Sequence, residues 1–299
     1  KYRDAGHSAF RLAQRGRTPM VYVGGNDGML HAFYAEVDPR ASATEGRKQV
    51  QTAAREAWAF VPTTVMPELP RLASVSYEGG HRYFVDGDAF TADVNFSGSG
   101  SDWRTVLVGT LGNGGKGYFL LDVTSPGSFG TSKVLADRTD GADNDIGHMV
   151  LPPVRNDGDR GLSDQIVRTN DNKWSLIMGN GVNSTNARPV LLVQALTSSG
   201  VGSAPTKVVA GTTGATDAGD GNGLSAPRLI DLNGDGKVDV AYAGDMKGNL
   251  WRFDLTSSTP SAWSAMKLYT AVDDTAKVQP IGVAPMWKPH PKGGLMVFF

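Results

Sequence analysis

The sequence predicts an all-β chain, a modified β-propeller of four-stranded antiparallel blades with loop and short helical insertions. Three observations predict it. Glycine makes up 38 of 299 residues, about 13% against an average near 7%, which marks a turn-rich chain. Four hairpins share one shape: an apolar strand ending in glycine, a Gly/Asn/Asp turn, and a second apolar strand. Flanking strands extend these hairpins into units that recur with a period of roughly 40–45 residues plus insertions, the spacing of propeller blades. A sandwich or a β-helix is the alternative arrangement of the same strands.

In chain order, the first hairpin is "MVYVGGNDGMLHAFYA" (20–35), with "EAWAFVP" as its outer strand. Residues 36–57 have helical composition and predict an insertion with a short helix. The second hairpin is "TVLVGTLGNGGKGYFLLDV" (105–123), flanked by "RYFVDGDAFTADV" and "SKVLADR". The third is "SLIMGNGVNSTNARPVLLVQAL" (175–196), flanked by "MVLPPVR" and "TKVVAG". The fourth is "DVAYAGDMKGNLWRFDL" (239–255), flanked by "APRLIDL" and "AMKLYTA". It aligns with the first almost residue for residue, and both place φ-tolerant residues in the turn: Asn26, Asp27 and Gly28 in one, Lys247, Gly248 and Asn249 in the other. A fifth unit begins at "PIGVAPMW" and reaches "LMVFF". The Gly/Ser-rich segments 95–102 and 197–224 read as surface loops.

Five partial blades do not close a ring, so either further strands or pairing of the last with the first is expected. Residues 1–299 are accordingly read as one propeller domain, part of a longer protein. Its opening, "KYRDAGHSAF", reads as mid-domain sequence, and "LMVFF" reads as a strand with no turn after it.

Composition excludes several classes. With 40% hydrophobic and 20% charged residues the chain is neither disordered nor a membrane bundle, and no apolar run approaches the roughly 20 residues of a spanning helix. A formal net charge of −1 argues against a nucleic-acid partner, which calls for a basic face. There is no cysteine, hence no disulfide or thiolate metal site.

The densest motif is "DLNGDGKVD" (231–239). Numbered from Asp231, it places Asp231, Asn233 and Asp235 at positions 1, 3 and 5, Gly236 at 6, Lys237 at 7 and Asp239 at 9. This follows the opening of the EF-hand pattern, in which hard oxygen donors surround Ca²⁺ and a glycine makes the sharp turn. Position 7 donates only its backbone carbonyl, so a lysine there is compatible. The pattern then departs: position 12 is Tyr242 instead of a bidentate Glu, and the flanks read as strands. The motif is therefore a calcium loop on a β-hairpin, between the first two strands of a blade. Mg²⁺ fits worse because it demands a small octahedron, and without the Glu the affinity should lie on the order of 10⁻⁶ to 10⁻³ M. The bland alternative is a solvated polar turn, but three carboxylates within nine residues repel one another without a cation.

Other signals are weaker. Asp140, Asp143 and Asp145, and separately Asn156, Asp157 and Asp159, could each hold a second cation but read better as solvated connections. Asp86 and Asp88 read as a hairpin turn. The G-x-G-x-x-G match at Gly112, Gly114 and Gly117 precedes a strand, "YFLLDV", so it is a hairpin loop and not a dinucleotide site. The histidines at 7, 31, 81, 148 and 290 show no metal spacing, and His31 reads as packed within its strand.

The motifs "MVYVGGNDGMLHAF", "VGTLGNGGKGYFLLDV", "LIMGNGVNS" and "NGLSAPRLIDLNGDGKVDVAYAGDMKGNLWRFDL" resemble, in the same order, the C-terminal domain of the PilC/PilY family of type IV pilus tip-associated adhesins and biogenesis factors. The resemblance implies one calcium ion held by Asp231, Asn233, Asp235, the Lys237 carbonyl and Asp239. It implies export to the cell surface and pilus tip in association with the outer membrane, with pilins or minor pilins and a host or abiotic surface as partners. A role in pilus extension against retraction, twitching motility and adhesion follows, without enzymatic activity. The competing readings are a quinoprotein dehydrogenase, disfavoured by the missing cysteines and the peripheral aspartates, and an integrin-type propeller, which would carry several calcium loops.

Overall fold

The computed structural model describes residues 6–35, 54–98, 100–150, 165–202, 204–211 and 221–299. A short helix, α1 (His7–Ala13), precedes the first of the five sheets found among the described residues. The first sheet is β1 (Met20–Gly24), β2 (Leu30–Tyr34) and β3 (Glu56–Phe60), antiparallel throughout. The second is β4 (Ala89–Asn95), β5 (Trp103–Thr110), β6 (Tyr118–Asp122) and β7 (Val134–Asp137), in that order. The third contains β8 (Ile166–Thr169), β9 (Trp174–Gly179) and β10 (Val190–Thr197), with β11 (Gly200–Val201) and β12 (Thr206–Val209) both paired to β10. Then come β13 (Arg228–Ile230), β14 (Lys237–Val238), β15 (Val240–Gly244), β16 (Asn249–Asp254) and β17 (Ser264–Thr270). The fourth sheet runs β13-β15-β16-β17, whereas β14 leaves it and pairs in parallel with β8 of the third. A two-stranded sheet of β18 (Met286–Pro289) and β19 (Leu295–Phe298) is the fifth.

The sheets stack face to face because successive side chains on a strand point to opposite sides. On β6, Phe119 and Leu121 pack toward the first sheet, and Tyr118 and Leu120 toward the third. On β9 and β10, Trp174, Leu176, Val190 and Leu192 face the second sheet while Ile177, Leu191 and Val193 face the fourth. On β15, Ala241 and Ala243 face the third sheet, and Val240 and Tyr242 meet Leu295 and Val297 of the fifth. Burial on both faces explains why these strands read as unbroken apolar runs. Each large side chain so buried contributes about 1.5–3 kcal/mol.

The propeller architecture expected from the sequence is observed, with local corrections. Among the described residues, only the second and fourth sheets have four strands in simple order. The strand flanking the third hairpin on its N-terminal side is β8, not "MVLPPVR": Met149 and Val150 are not in a strand, and 151–155 lie outside the described residues. Of the expected insertion, 36–53 lies outside the described residues, while Glu56 and Ala57 already belong to β3, pulled into register by pairing with β2. The 197–224 segment carries β11 and β12, because Thr206–Val209 supplies the edge partner of β10. Asp86 and Asp88 lie in the segment entering β4, and Asp86 accepts a hydrogen bond from Asn113 Nδ2 at 2.9 Å. The G-x-G-x-x-G stretch is the β5–β6 turn, where a Cβ on Gly114 would fall 1.7 Å from the Phe84 carbonyl oxygen, so only glycine fits.

Candidate metal centre

Residues 231–236 connect β13 to β14 as a bend wrapped around its own side chains. Asp231 Oδ1 and Oδ2 accept the Gly234 and Gly236 N–H groups at 2.6 and 2.7 Å. Asn233 Oδ1 accepts from Asp235 N–H at 2.8 Å, and Asp235 Oδ1 from Lys237 N–H at 2.9 Å. This nested set needs the left-handed backbone found at Gly234 (φ 78°) and Gly236 (φ 91°), which is why glycine stands at both. Asp231, Asn233 and Asp235 are exposed.

Asp239 differs in being buried, at 4% exposure. Its backbone is locked in the fourth sheet, since its N–H donates to Ile230 O at 2.9 Å and its carbonyl accepts from Leu255 N–H at 2.8 Å. Its Oδ2 accepts from Leu232 N–H at 2.8 Å, closing the loop, and its Oδ1 from Asn170 Nδ2 at 3.2 Å. The Lys237 backbone is held from another direction, through the parallel pairing of β14 with β8.

The donor set suits a hard divalent cation. All the donors are oxygens, and the three carboxylates are partnered among the described residues by amide groups alone, with no lysine or arginine. Each oxygen accepting one N–H keeps a lone pair for a metal. Among the described residues no three His, Cys, Asp or Glu side chains are gathered closely enough to form a ligand cluster, so binding requires the exposed donors to draw inward.

The 140–145 cluster is the instructive contrast. Asp145 is paired by Arg188 at 2.8 Å and Lys207 at 2.9 Å, and Lys207 also reaches Asp143 at 2.6 Å. Protein cations already neutralise these carboxylates, so this cluster is a structural network. The 156–159 cluster lies outside the described residues. Neither Asp245 nor Asn170 was singled out from the sequence, although the former proves to be a completely buried carboxylate.

Of the histidines, His7 joins α1 to β4 through Asp93 Oδ2 at 2.9 Å and packs on Trp103. His31 bridges Asp27 Oδ2 at 2.9 Å and Glu56 Oε1 at 2.6 Å. Burial pushes its pKa down, but the hydrogen bonds it donates to both carboxylates outweigh this and raise it above the usual imidazole value. The stabilisation is therefore full below about pH 6.5 and lost as pH rises through the raised folded-state value. Because both carboxylates are solvent-exposed, it is worth under about 1 kcal/mol. Melting curves between about pH 5 and 9 should show a small decline that His31→Gln flattens; an unchanged profile in the variant would assign the decline elsewhere.

Residues 3–299 match a family model described as the PilY1 beta-propeller domain. The chain is 36% identical over 316 residues to the type IV pilus biogenesis factor PilY1 of Pseudomonas aeruginosa, covering 98% of this chain and 24% of that protein. To a PilY1 homolog of Xylella fastidiosa it is 35% identical over 293 residues, covering 98% of this chain and 20% of that protein. The chain thus spans about a quarter or less of the length of these relatives. Among solved structures, the crystal structure of the Pseudomonas aeruginosa PilY1 C-terminal domain aligns with a TM-score of 0.71 at 34% identity, over 97% of this chain and 54% of that one. No helix among the described residues is long and apolar enough to cross a membrane.

Proposed function

The chain belongs to the PilY1 β-propeller family, and from that premise we propose that it is the calcium-binding propeller domain of a type IV pilus biogenesis and adhesion protein. The observation that carries the calcium reading is the 231–239 loop, whose three carboxylates have no protein cation among the described residues, while the acidic cluster at 143–145 has two. Asp231, Asn233, Asp235, the Lys237 carbonyl and Asp239 would hold Ca²⁺, with water completing the shell. The ion supplies the positive charge that lets three carboxylates converge; the protein residues supply the turn and the anchored end.

The role is one of binding, not catalysis, at the surface-exposed end of the pilus, with pilin subunits and an external surface as partners. In this reading calcium occupancy favours extension over retraction, and twitching motility depends on the loop.

Calorimetric titration of calcium into metal-stripped protein tests it. One site with a Kd on the order of 10⁻⁶ to 10⁻³ M is expected, lost in the Asp235→Ala/Asp239→Ala variant. Absence of heat together with an unchanged melting temperature would leave a polar turn and remove calcium from the function. The same substitutions in the full-length protein should alter surface piliation and twitching; unaltered motility despite lost binding would separate calcium from retraction.

A further inference from the structure

Asn170 lies in the β8–β9 turn of the third sheet, yet its side-chain amide reaches the loop of the fourth. Asn170 Nδ2 donates to Val238 O at 2.9 Å, Leu255 O at 3.0 Å and Asp239 Oδ1 at 3.2 Å. All three neighbours are acceptors, so only the nitrogen of the amide can face them.

We infer that Asn170 is a positioning residue for the cation loop, and that cation occupancy tightens the joint between the third and fourth sheets. The inference rests on the calcium reading above. The five donors fall into two groups. Asp231, Asn233 and Asp235 are exposed and held by the loop's own amides. The Lys237 carbonyl and Asp239 are tied to the third sheet, the first through Lys237↔Arg168 and Val238↔Thr169 pairing and the second through Asn170. A cation entering the shell would draw the exposed set toward the anchored set, so the ion would link two sheets and not merely two strands of one hairpin. The coupling is reciprocal: a loosened joint releases the anchored donors and weakens binding. Asn170 acts on the metal as an outer partner of a ligand, a position whose loss typically costs 10–100-fold in affinity.

Two measurements on the full chain test this. Calorimetry should show calcium binding weakened about 10–100-fold in Asn170→Ala, with a smaller calcium-induced rise in melting temperature. A merely structural Asn170 would lower the melting temperature equally with calcium and with chelator and leave Kd unchanged, which overturns the inference. The second measurement needs no variant. In hydrogen exchange on the unsubstituted protein, calcium should protect the amides of 166–173 in the third sheet as well as those of 231–244. Protection confined to 231–244 would also overturn it. If the unsubstituted protein shows no calcium binding at all, the calcium reading and this inference fall together; normal binding with an unresponsive third sheet removes only the inference.

Discussion

Asp245→Ala is expected to destabilise the protein by about 4 kcal/mol, seen as a lower urea midpoint with unchanged denaturant slope. Asp245 is 0% exposed and sits where β15 turns into β16. Its Oδ1 accepts the Lys247 and Asn249 N–H groups, each at 2.9 Å. Its Oδ2 accepts Trp251 Nε1 at 2.8 Å and Asn249 Nδ2 at 3.0 Å. Truncation strands several buried donors at once, each costing about 1–3 kcal/mol when left unmade, although the costs do not add fully. The backbone depends on the same residue, since the Asp245 carbonyl accepts from Gly248 and Ile281 N–H groups. Asp245→Asn should lose about half as much, because one oxygen survives while the new NH₂ faces other donors. A loss under about 1 kcal/mol for the alanine variant would mean that water replaces the carboxylate, against its role as the hairpin's organiser.

Arg188→Met is expected to cost about 3 kcal/mol at neutral pH. Arg188 grips Asp145 with two hydrogen bonds, Nε to Oδ1 at 2.8 Å and a terminal nitrogen to Oδ2 at 2.9 Å. The Asp145 side chain is 3% exposed. Without the guanidinium it keeps Asn186 Nδ2 at 2.7 Å and the partly exposed Lys207, which is too little for a buried charge. Replacing both partners, as in Asp145→Leu/Arg188→Met, should recover much of the loss, since removing a whole buried pair costs far less than removing half of it. The pH dependence follows with a definite sign. Burial pushes the Asp145 carboxyl up, but hydrogen bonds from Arg188, Asn186 and Lys207 outweigh it and hold it far below the usual range. Its stabilisation is thus complete above the ordinary aspartate value near 3.9 and lost as pH falls toward the depressed folded-state value. Urea midpoints at about pH 7 and pH 3 should therefore fall closer together in Arg188→Met than in the unsubstituted protein. An equal fall in both proteins would show that Asn186 and Lys207 sustain the depression without Arg188.

The hairpins and sheets were legible because their signals are local. Glycine at the turn of "LGNGGKG" and the apolar run within "GYFLLDV" are properties of a few adjacent residues, and both predicted the β5–β6 hairpin. At the N-terminal side of the third sheet the sequence favours "MVLPPVR", the longer apolar run, whereas Ile166–Thr169 carries Arg168 and Thr169 and reads as half polar. Pairing with Trp174 and Leu176 is what selects the latter. The acidic clusters divide in the same way. Asp143 and Asp145 look like ligands in the sequence until Arg188 and Lys207, more than forty residues on, are brought beside Asp145.

By itself the sequence determined the all-β repeat, the glycine-bearing turns of its hairpins, and the oxygen spacing of the 231–239 loop. Each depends on a backbone period or a turn geometry a few residues long. Only the tertiary structure decided how that loop is anchored. The sequence places it within one blade, whereas β14 pairs with β8 of the preceding sheet and Asn170 holds Asp239 across 69 residues of chain. The physical reason is that a buried acceptor takes whichever donor the packed sheets bring within reach, and that choice is made by the stacking of faces and not by proximity along the chain.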